Sequence, residues 1–163
     1  MEALGKQISQ PITVYFVGGA TAVLLGFRSS TIDVDLKFEP DLQEMYKAIR
    51  DIKEELNMNV ELASPDHFIP PLPEWKERSI FIDRVGHVSF YHYDLYTQVL
   101  AKIERGWKLD LQDAENFVKY SVDMDQLMKF FYQVQEDFIR YPGVEPKKLE
   151  KKLIQFRNEA IEK

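Results

Sequence analysis

The sequence predicts an α+β fold in which a small sheet flanked by helices is followed by a helical C-terminal part. Ile12–Val17 is an uninterrupted run of mostly β-branched and aromatic residues, which is typical of a strand buried on both faces. Residues 32–38 alternate apolar and polar side chains, as in a strand with one polar face. From Leu95 onward only helical spacing is found, so we expect a core over 1–94 and a helical region over 95–163 packed on it.

Spacing, glycine and proline predict the other elements of the core. Apolar residues three or four apart over 42–56 indicate an amphipathic helix, and the four prolines between residues 64 and 77 indicate a loop. Gly26 is suited to end a short apolar helix, because glycine tolerates the left-handed cap conformation. The predicted order is helix 2–9, strand 12–17, helix 20–25, strand 32–38, helix 42–56, strand 60–62, and a hairpin of 79–82 with 88–93.

Four helices are predicted in the C-terminal part. Gly106 and the Tyr141-Pro142-Gly143 break separate them, and Pro146 suits a first helical position, where its missing N–H costs nothing. The expected helices are one ending near Arg105, one over 109–120, one over 125–140, and one beginning at Pro146.

Composition excludes several classes of function. The chain has 163 residues with 27 acidic and 21 basic side chains, a net charge of −6, which argues against a general nucleic-acid binder. It has no cysteine, which removes disulfides, thiol catalysis and cysteine-based zinc sites. The longest apolar run, residues 12–27, contains three glycines and is shorter than the roughly 20 residues of a membrane span. We expect a cytoplasmic protein with no signal peptide and no membrane contact.

The pattern with the clearest chemical meaning is Gly18-Gly19 followed, after thirteen residues, by Asp33-Val34-Asp35. Alternation places Asp33 and Asp35 on one face of a strand, with their Cα atoms roughly 7 Å apart. Two carboxylates held side by side repel each other unless a cation lies between them. Oxygen ligands favour Mg²⁺ or Mn²⁺, and magnesium prefers few carboxylates together with substrate phosphates. The pair therefore predicts a metal site.

The glycine pair supplies the other half of a phosphate site. Without side chains it lets an anion approach the backbone closely, and the helix that follows would point its free N–H groups at that anion. A Gly-Gly pair alone is most often only a turn, and an Asp-x-Asp pair alone commonly decorates a solvated strand. Both together, in this order and with a helix between them, are much more specific.

These residues resemble a known superfamily. Phe16-Val17-Gly18-Gly19 and the stretch from Arg28 to Leu36 look like the signature of the polymerase-β-type nucleotidyltransferases, a hydrophobic residue, Gly, then Gly or Ser, a spacer, and an acidic pair on a strand. Within it the chain is most similar to a small prokaryotic nucleotidyltransferase-like group related to minimal nucleotidyltransferases and abortive-infection toxins. The second matching stretch comprises residues 91–95, 100–106 and 110–113.

The resemblance implies a small mixed sheet and a Mg²⁺-dependent transfer of a nucleoside monophosphate from an NTP to a hydroxyl of a protein, a small molecule or an RNA end. It implies that Asp33 and Asp35 bind metal and that Gly18 and Gly19 face the triphosphate. Members usually have a third catalytic carboxylate on a neighbouring strand. Asp94 is our first candidate and Asp83 the second, although Asp94 is equally suited to cap the helix that begins at Leu95.

Further residues could contact the nucleotide. Arg28, with Ser29 and Thr31, precedes the acidic strand and is expected to contact phosphate. Lys102, on one helix face with Arg105, could neutralise the triphosphate or instead pair with Asp110 or Asp113. The rival hypothesis is a weak or inactive nucleotide-binding module, for example one of a toxin–antitoxin pair that binds an antitoxin. A homo-oligomer is compatible with both.

Overall fold

The computed structural model describes residues 1–162 and confirms the predicted α+β fold, with a five-stranded mixed sheet. Short 3-10 turns occupy Pro65–His67 and Gln135–Arg140. The strands are β1 (Ile12–Val17), β2 (Asp33–Glu39), β3 (Asn59–Leu62), β4 (Ile80–Val85) and β5 (Val88–His92). The helices are α1 (Glu2–Gln7), α2 (Gly19–Leu24), α3 (Gln43–Glu55), α4 (Trp75–Arg78), α5 (Leu95–Arg105), α6 (Lys108–Ser121), α7 (Met124–Val134) and α8 (Pro146–Glu162).

The chain divides into two compact units. The first comprises Met1–Ser64 and Ser79–Tyr93 and holds the sheet with α1, α2 and α3; the second comprises Pro65–Arg78 and the residues from Asp94 onward. The proline-rich segment thus groups with the helices, because Tyr141 Oη donates a hydrogen bond to the Asp66 carbonyl (3.1 Å) and Arg78 pairs with Asp94 (2.7 Å).

The strand order is β3-β2-β1-β5-β4, so β1 lies at the centre of the sheet. It runs antiparallel to β2 and parallel to β5, while β3 is parallel to β2 and β4 antiparallel to β5. A central strand has neighbours on both edges, and five of the six β1 residues are buried. This position explains why its sequence is apolar without alternation.

One face of the sheet packs against helices. Leu36 of β2 belongs to a core cluster with Val14 and Phe16 of β1 and with Met45 and Ile52 of α3. Because neighbouring residues of a strand point to opposite faces, the Asp33 and Asp35 side chains lie on the other face. The strand begins at Asp33, and Ile32, the expected first residue, is outside it and 89% exposed.

The second unit is helical. Seven of the eleven residues of helix α5 are buried, with Val99, Leu100 and Ile103 among its core side chains. The helix expected over 125–140 ends as an α-helix at Val134 and continues as a 3-10 turn. Within the described part of the chain no helix is both long and apolar enough to cross a membrane.

Candidate functional site

The site is built where β1 ends and α2 begins. Gly18 has φ 63° and ψ −129°, a conformation that side chains strongly disfavour. A Cβ atom at Gly18 would lie 3.5 Å from Asp35 Oδ2. The pairing of Val17 with Asp35 across β1 and β2 produces this proximity, so the first glycine lies directly beside the acidic strand.

Gly19 lies against the loop that precedes β2. A Cβ atom there would collide with the Thr31 hydroxyl and lie 2.9 Å from Arg28 Nη1. Thr31 Oγ1 in turn donates a hydrogen bond of 3.0 Å to the Asp33 carbonyl. The structure therefore places Gly18 beside Asp35, and it places Gly19 beside Arg28 and Thr31 next to the start of β2. Ser29 is an exposed residue of the same loop.

Strand β3 adds two polar residues that sequence reasoning missed. In the parallel pairing Asn59 is opposite Asp33 and Glu61 is opposite Asp35. Asn59 Nδ2 donates to Asp33 Oδ1, and also to Glu61 Oε1 at 3.1 Å. The sequence carries a weak signal for this, because Asn59 and Glu61 alternate around the buried Val60 as the aspartates alternate around Val34. That pattern does not predict which strand pairs with β2.

The donor set fits magnesium. Two carboxylates on β2 lie next to the Glu61 carboxylate on β3, and carboxylate oxygens are hard donors of the kind Mg²⁺ prefers. Asn59 turns its Nδ2 toward Asp33 and Glu61. Among residues 1–162 no group of three or more His, Asp or Glu side chains is arranged to hold a metal ion. Magnesium is commonly held by one or two carboxylates completed by substrate phosphates and water, so Asp33 and Asp35 are the residues that would hold such an ion.

Asp94, the first candidate for the third carboxylate, is fully buried in the second unit. Its Oδ1 accepts from Arg78 Nε (3.0 Å) and its Oδ2 from Arg78 Nη2 (2.7 Å). It also caps α5, accepting from the Tyr96 and Thr97 backbone N–H groups at 3.2 and 3.3 Å and from Thr97 Oγ1 at 2.7 Å. The ion pair and cap account for its burial without any metal.

Asp83, the second candidate, lies on β4. The sheet order puts β1 and β5 between β4 and the acidic strand, a separation of about 14 Å at roughly 4.8 Å per strand. Its carboxylate is exposed and accepts from the Arg84 backbone N–H at 2.7 Å. Across that distance it cannot share a metal ion with Asp33 and Asp35.

Lys102 is buried within the second unit. Its Nζ lies 2.9 Å from Asp113 Oδ2 and 3.5 Å from Asp110 Oδ1, and Asp110 also pairs with Arg105 at 3.0 Å. The alternative of pairing with these aspartates is therefore the one observed. The two ion pairs of Lys102 are buried inside the unit, and the aspartates already balance the lysine charge.

His92 of β5 lies beside Phe16 of β1. Its Nδ1 is 3.4 Å from Thr21 Oγ1, which donates to the Phe16 carbonyl at 3.1 Å. Burial lowers the pKa of His92 to about 4, because the charged imidazolium is poorly solvated there. The ring is neutral at pH 7 and supplies no positive charge to a phosphate.

A five-stranded mixed sheet with Gly18 beside the Asp35 carboxylate is the arrangement that the nucleotidyltransferase resemblance implied. The comparison with protein families agrees: residues 1–159 match a family described as "Nucleotidyltransferase of unknown function (DUF6036)". The chain belongs to that family. Comparisons with curated proteins and with solved structures gave no match.

Proposed function

We propose that this protein is a Mg²⁺-dependent nucleotidyltransferase that moves a nucleoside monophosphate from an NTP to a hydroxyl acceptor. The observation that supports it is the meeting of the glycine pair, Arg28 and Thr31 with Asp33 and Asp35 in one unit. A backbone open to phosphates beside an oxygen-only metal site is the combination that phosphoryl transfer needs.

Asp33 and Asp35 would hold the magnesium ion, with Asn59 orienting Asp33 through its hydrogen bond. Bound Mg²⁺ acts as a Lewis acid on phosphate oxygens and neutralises charge that develops on them. The protein residues perform the positioning. Gly18 keeps side-chain atoms away from the end of β1, where the triphosphate would approach Asp35, and Arg28, half-buried against Gly19, would stabilise its negative charge.

Glu61 is the best placed residue for a third carboxylate. It is opposite Asp35 in the β2–β3 register and shares the Asn59 amide with Asp33. A glutamate side chain has three rotatable torsions and is exposed here, so a small rotation changes where its carboxylate points. We propose Glu61 as the group that accepts the proton of the acceptor hydroxyl.

A nucleotide-binding module without efficient transfer is the second candidate. It is favoured by the absence, within the described residues, of three acidic or histidine side chains gathered around one point. Such a module would bind Mg²⁺ and NTP through the same aspartates and act through a partner protein, for example an antitoxin.

The deciding experiment measures label transfer and nucleotide binding in parallel. The protein is incubated with α-labelled ATP, CTP, GTP or UTP, Mg²⁺ and cell lysate, and the Asp33→Ala/Asp35→Ala variant is compared with Asp83→Ala, an exposed acid on the distant strand. We expect transfer by the wild type and Asp83→Ala, a drop of at least a hundredfold in the double variant, and a marked loss in Glu61→Gln.

Each outcome selects one hypothesis. Transfer at the double-variant level with retained Mg²⁺-dependent nucleotide binding identifies the binding module. Absence of both nucleotide binding and label transfer in the wild type would contradict the proposal. Transfer that survives in the double variant would place the active site elsewhere in the chain.

A further inference from the structure

The first unit contains an apolar cavity that the proposed reaction does not use. It has a volume of about 300 Å³ and lies behind the acidic strand, on the helix-covered face of the sheet. Helices α1, α2 and α3 and strands β1, β2 and β3 all contribute to its walls. Ligand pockets begin at about this size, so the space is large enough for a small molecule.

The walls are aliphatic. Among the described residues that line the cavity, Thr31 carries the sole polar side chain and Phe16 the sole aromatic ring, and no lining side chain is charged. A cavity of this kind does not hold an ordered water molecule, because water needs two or more polar partners. The lining therefore disfavours ions and sugars, because their polar groups would lack partners.

The mouth is formed by exposed apolar side chains. Met1, Leu24, Leu56 and Met58 line the cavity and are each 40 to 49% exposed. Two of the four are methionines, whose unbranched side chains adapt to irregular apolar partners. These exposed side chains can bury more of their surface when an apolar ligand extends through the mouth.

We propose that this cavity binds the aliphatic chain of a small amphiphile, with the polar end of the ligand in solvent at the mouth. The volume suits a chain of about eight carbons, since an apolar cavity of about 150 Å³, half as large, admits benzene. The proposal goes beyond the nucleotidyltransferase reaction and does not depend on it.

Thr31 gives the cavity a physical connection to the candidate site. The same side chain lines the cavity, contacts the position of Gly19 and bonds to the Asp33 carbonyl. A chain bound in the cavity therefore changes the surroundings of Thr31. The Thr31 methyl signal therefore reports cavity occupancy when the titration is carried out without nucleotide.

The test uses 1-octanol as the probe and the full chain as the protein. Methyl NMR during a titration is expected to show saturable shifts confined to the lining side chains and Thr31, with a raised melting temperature. The comparison ligand is 1,8-octanediol, which has the same length but would bury a second hydroxyl. We expect it to bind at least tenfold more weakly, because that hydroxyl lacks partners.

Two variants locate the binding. Val23→Phe fills the cavity from α2, and Leu24→Trp narrows the mouth without changing a buried residue; each is expected to weaken 1-octanol binding at least tenfold. Leu62→Trp is the matched control, because Leu62 is 42% exposed on the same unit and does not line the cavity. If Val23→Phe does not fold, Leu24→Trp decides alone.

The contrary results are equally clear. Shifts spread over exposed apolar residues without saturation, binding of the diol as tightly as the alcohol, or equal binding by the Leu24 and Leu62 variants would each overturn the proposal. Absence of any 1-octanol shift would overturn it as well.

Discussion

At the scale of single residues, the two glycines serve the site in different ways. Gly18 is needed for its backbone conformation, since its φ of 63° is one that an L side chain rarely adopts. Gly19 begins α2 with ordinary helical geometry and is needed for its missing side chain, because Thr31 and Arg28 occupy that space. A larger residue is thus excluded at Gly18 by the backbone torsion angle and at Gly19 by contact with neighbouring side chains.

Replacing Gly19 by alanine tests the contact. The added methyl group would meet the Thr31 hydroxyl and Arg28 Nη1, and overpacking of this kind costs about 1–3 kcal/mol. We expect Gly19→Ala to lower the free energy of unfolding by that amount in urea titrations and to weaken nucleotide binding. The control is Gly143→Ala, where an added Cβ meets nothing within 4 Å and the change should stay within about 0.5 kcal/mol.

His92 makes stability depend on pH. Burial lowers its pKa to about 4 from the usual 6.5, so the unfolded chain binds a proton at pH 5 that the folded chain does not. The stabilising contribution of the neutral His92 ring is fully present above pH 6.5 and is lost as the pH falls from 6.5 to 4. Below pH 4 the ring is protonated in both the folded and the unfolded state, so the free energy of unfolding changes no further through His92. We expect the loss to reach about 2 kcal/mol after allowance for solvent screening, measured as unfolding free energy against pH.

The control for this prediction is a second histidine. His92→Gln should flatten the profile between pH 6.5 and 4, whereas His87→Gln, at an exposed turn position, should leave it unchanged. A wild-type profile that is already flat in this window, or one that His87→Gln flattens instead, would contradict the assignment.

At the scale of elements, buried ion pairs join segments that are distant in sequence. Asp94 caps the start of α5 and pairs with Arg78 of α4, whose guanidinium also lies 4.2 Å from the Phe130 ring centre of α7. Lys102 of α5 binds Asp113 of α6. The charges of these two ion pairs are largely shielded from water, and each is tolerated because its partner is present. These side chains thus hold the helices of the second unit in register with one another.

We expect that breaking the Arg78–Asp94 ion pair strongly lowers the free energy of unfolding. Arg78→Ala leaves the fully buried Asp94 carboxylate without its cation, and such losses cost about 3–5 kcal/mol. Arg140→Ala removes an arginine from an exposed pair with Asp137 and should cost at most about 1 kcal/mol. Equal unfolding free energies for the two variants in guanidinium titrations would refute this role.

At the scale of the whole molecule, the order of the strands decides which acids can cooperate. Asp33 and Asp35 come next to Asn59 and Glu61 because β3 pairs with β2. Asp83 is excluded because β1 and β5 intervene. The candidate site is therefore contained in the first unit, on the sheet face opposite α3.

Binding to the folded state raises the stability of the molecule by mass action. With MgATP at 100 times its dissociation constant the gain is about 2.7 kcal/mol, which corresponds to roughly 5–10 °C in melting temperature for a chain of this size. Scanning fluorimetry should show this shift for the wild type and for Asp83→Ala. The Asp33→Ala/Asp35→Ala variant should show none, and an equal shift in that variant would place nucleotide binding elsewhere.

The sequence by itself determined the α+β class, the central strand Ile12–Val17 and the polar face of β2, and it singled out the glycine–aspartate pattern on which the proposed site rests. These features depend on local patterns of apolar and polar residues and on glycine, which short segments express on their own. Gly19, Arg28 and Thr31 are neighbours in the structure, and all three belong to the connection between β1 and β2 that the sequence singled out.

The tertiary structure alone decided the surroundings of those residues. It placed Glu61 rather than Asp83 beside the aspartates, paired Asp94 with Arg78, and buried Lys102 between Asp110 and Asp113. Each result depends on which strands and helices become neighbours across many residues of chain. Local spacing does not encode that choice, because the free energy that selects it comes from burying whole elements against one another.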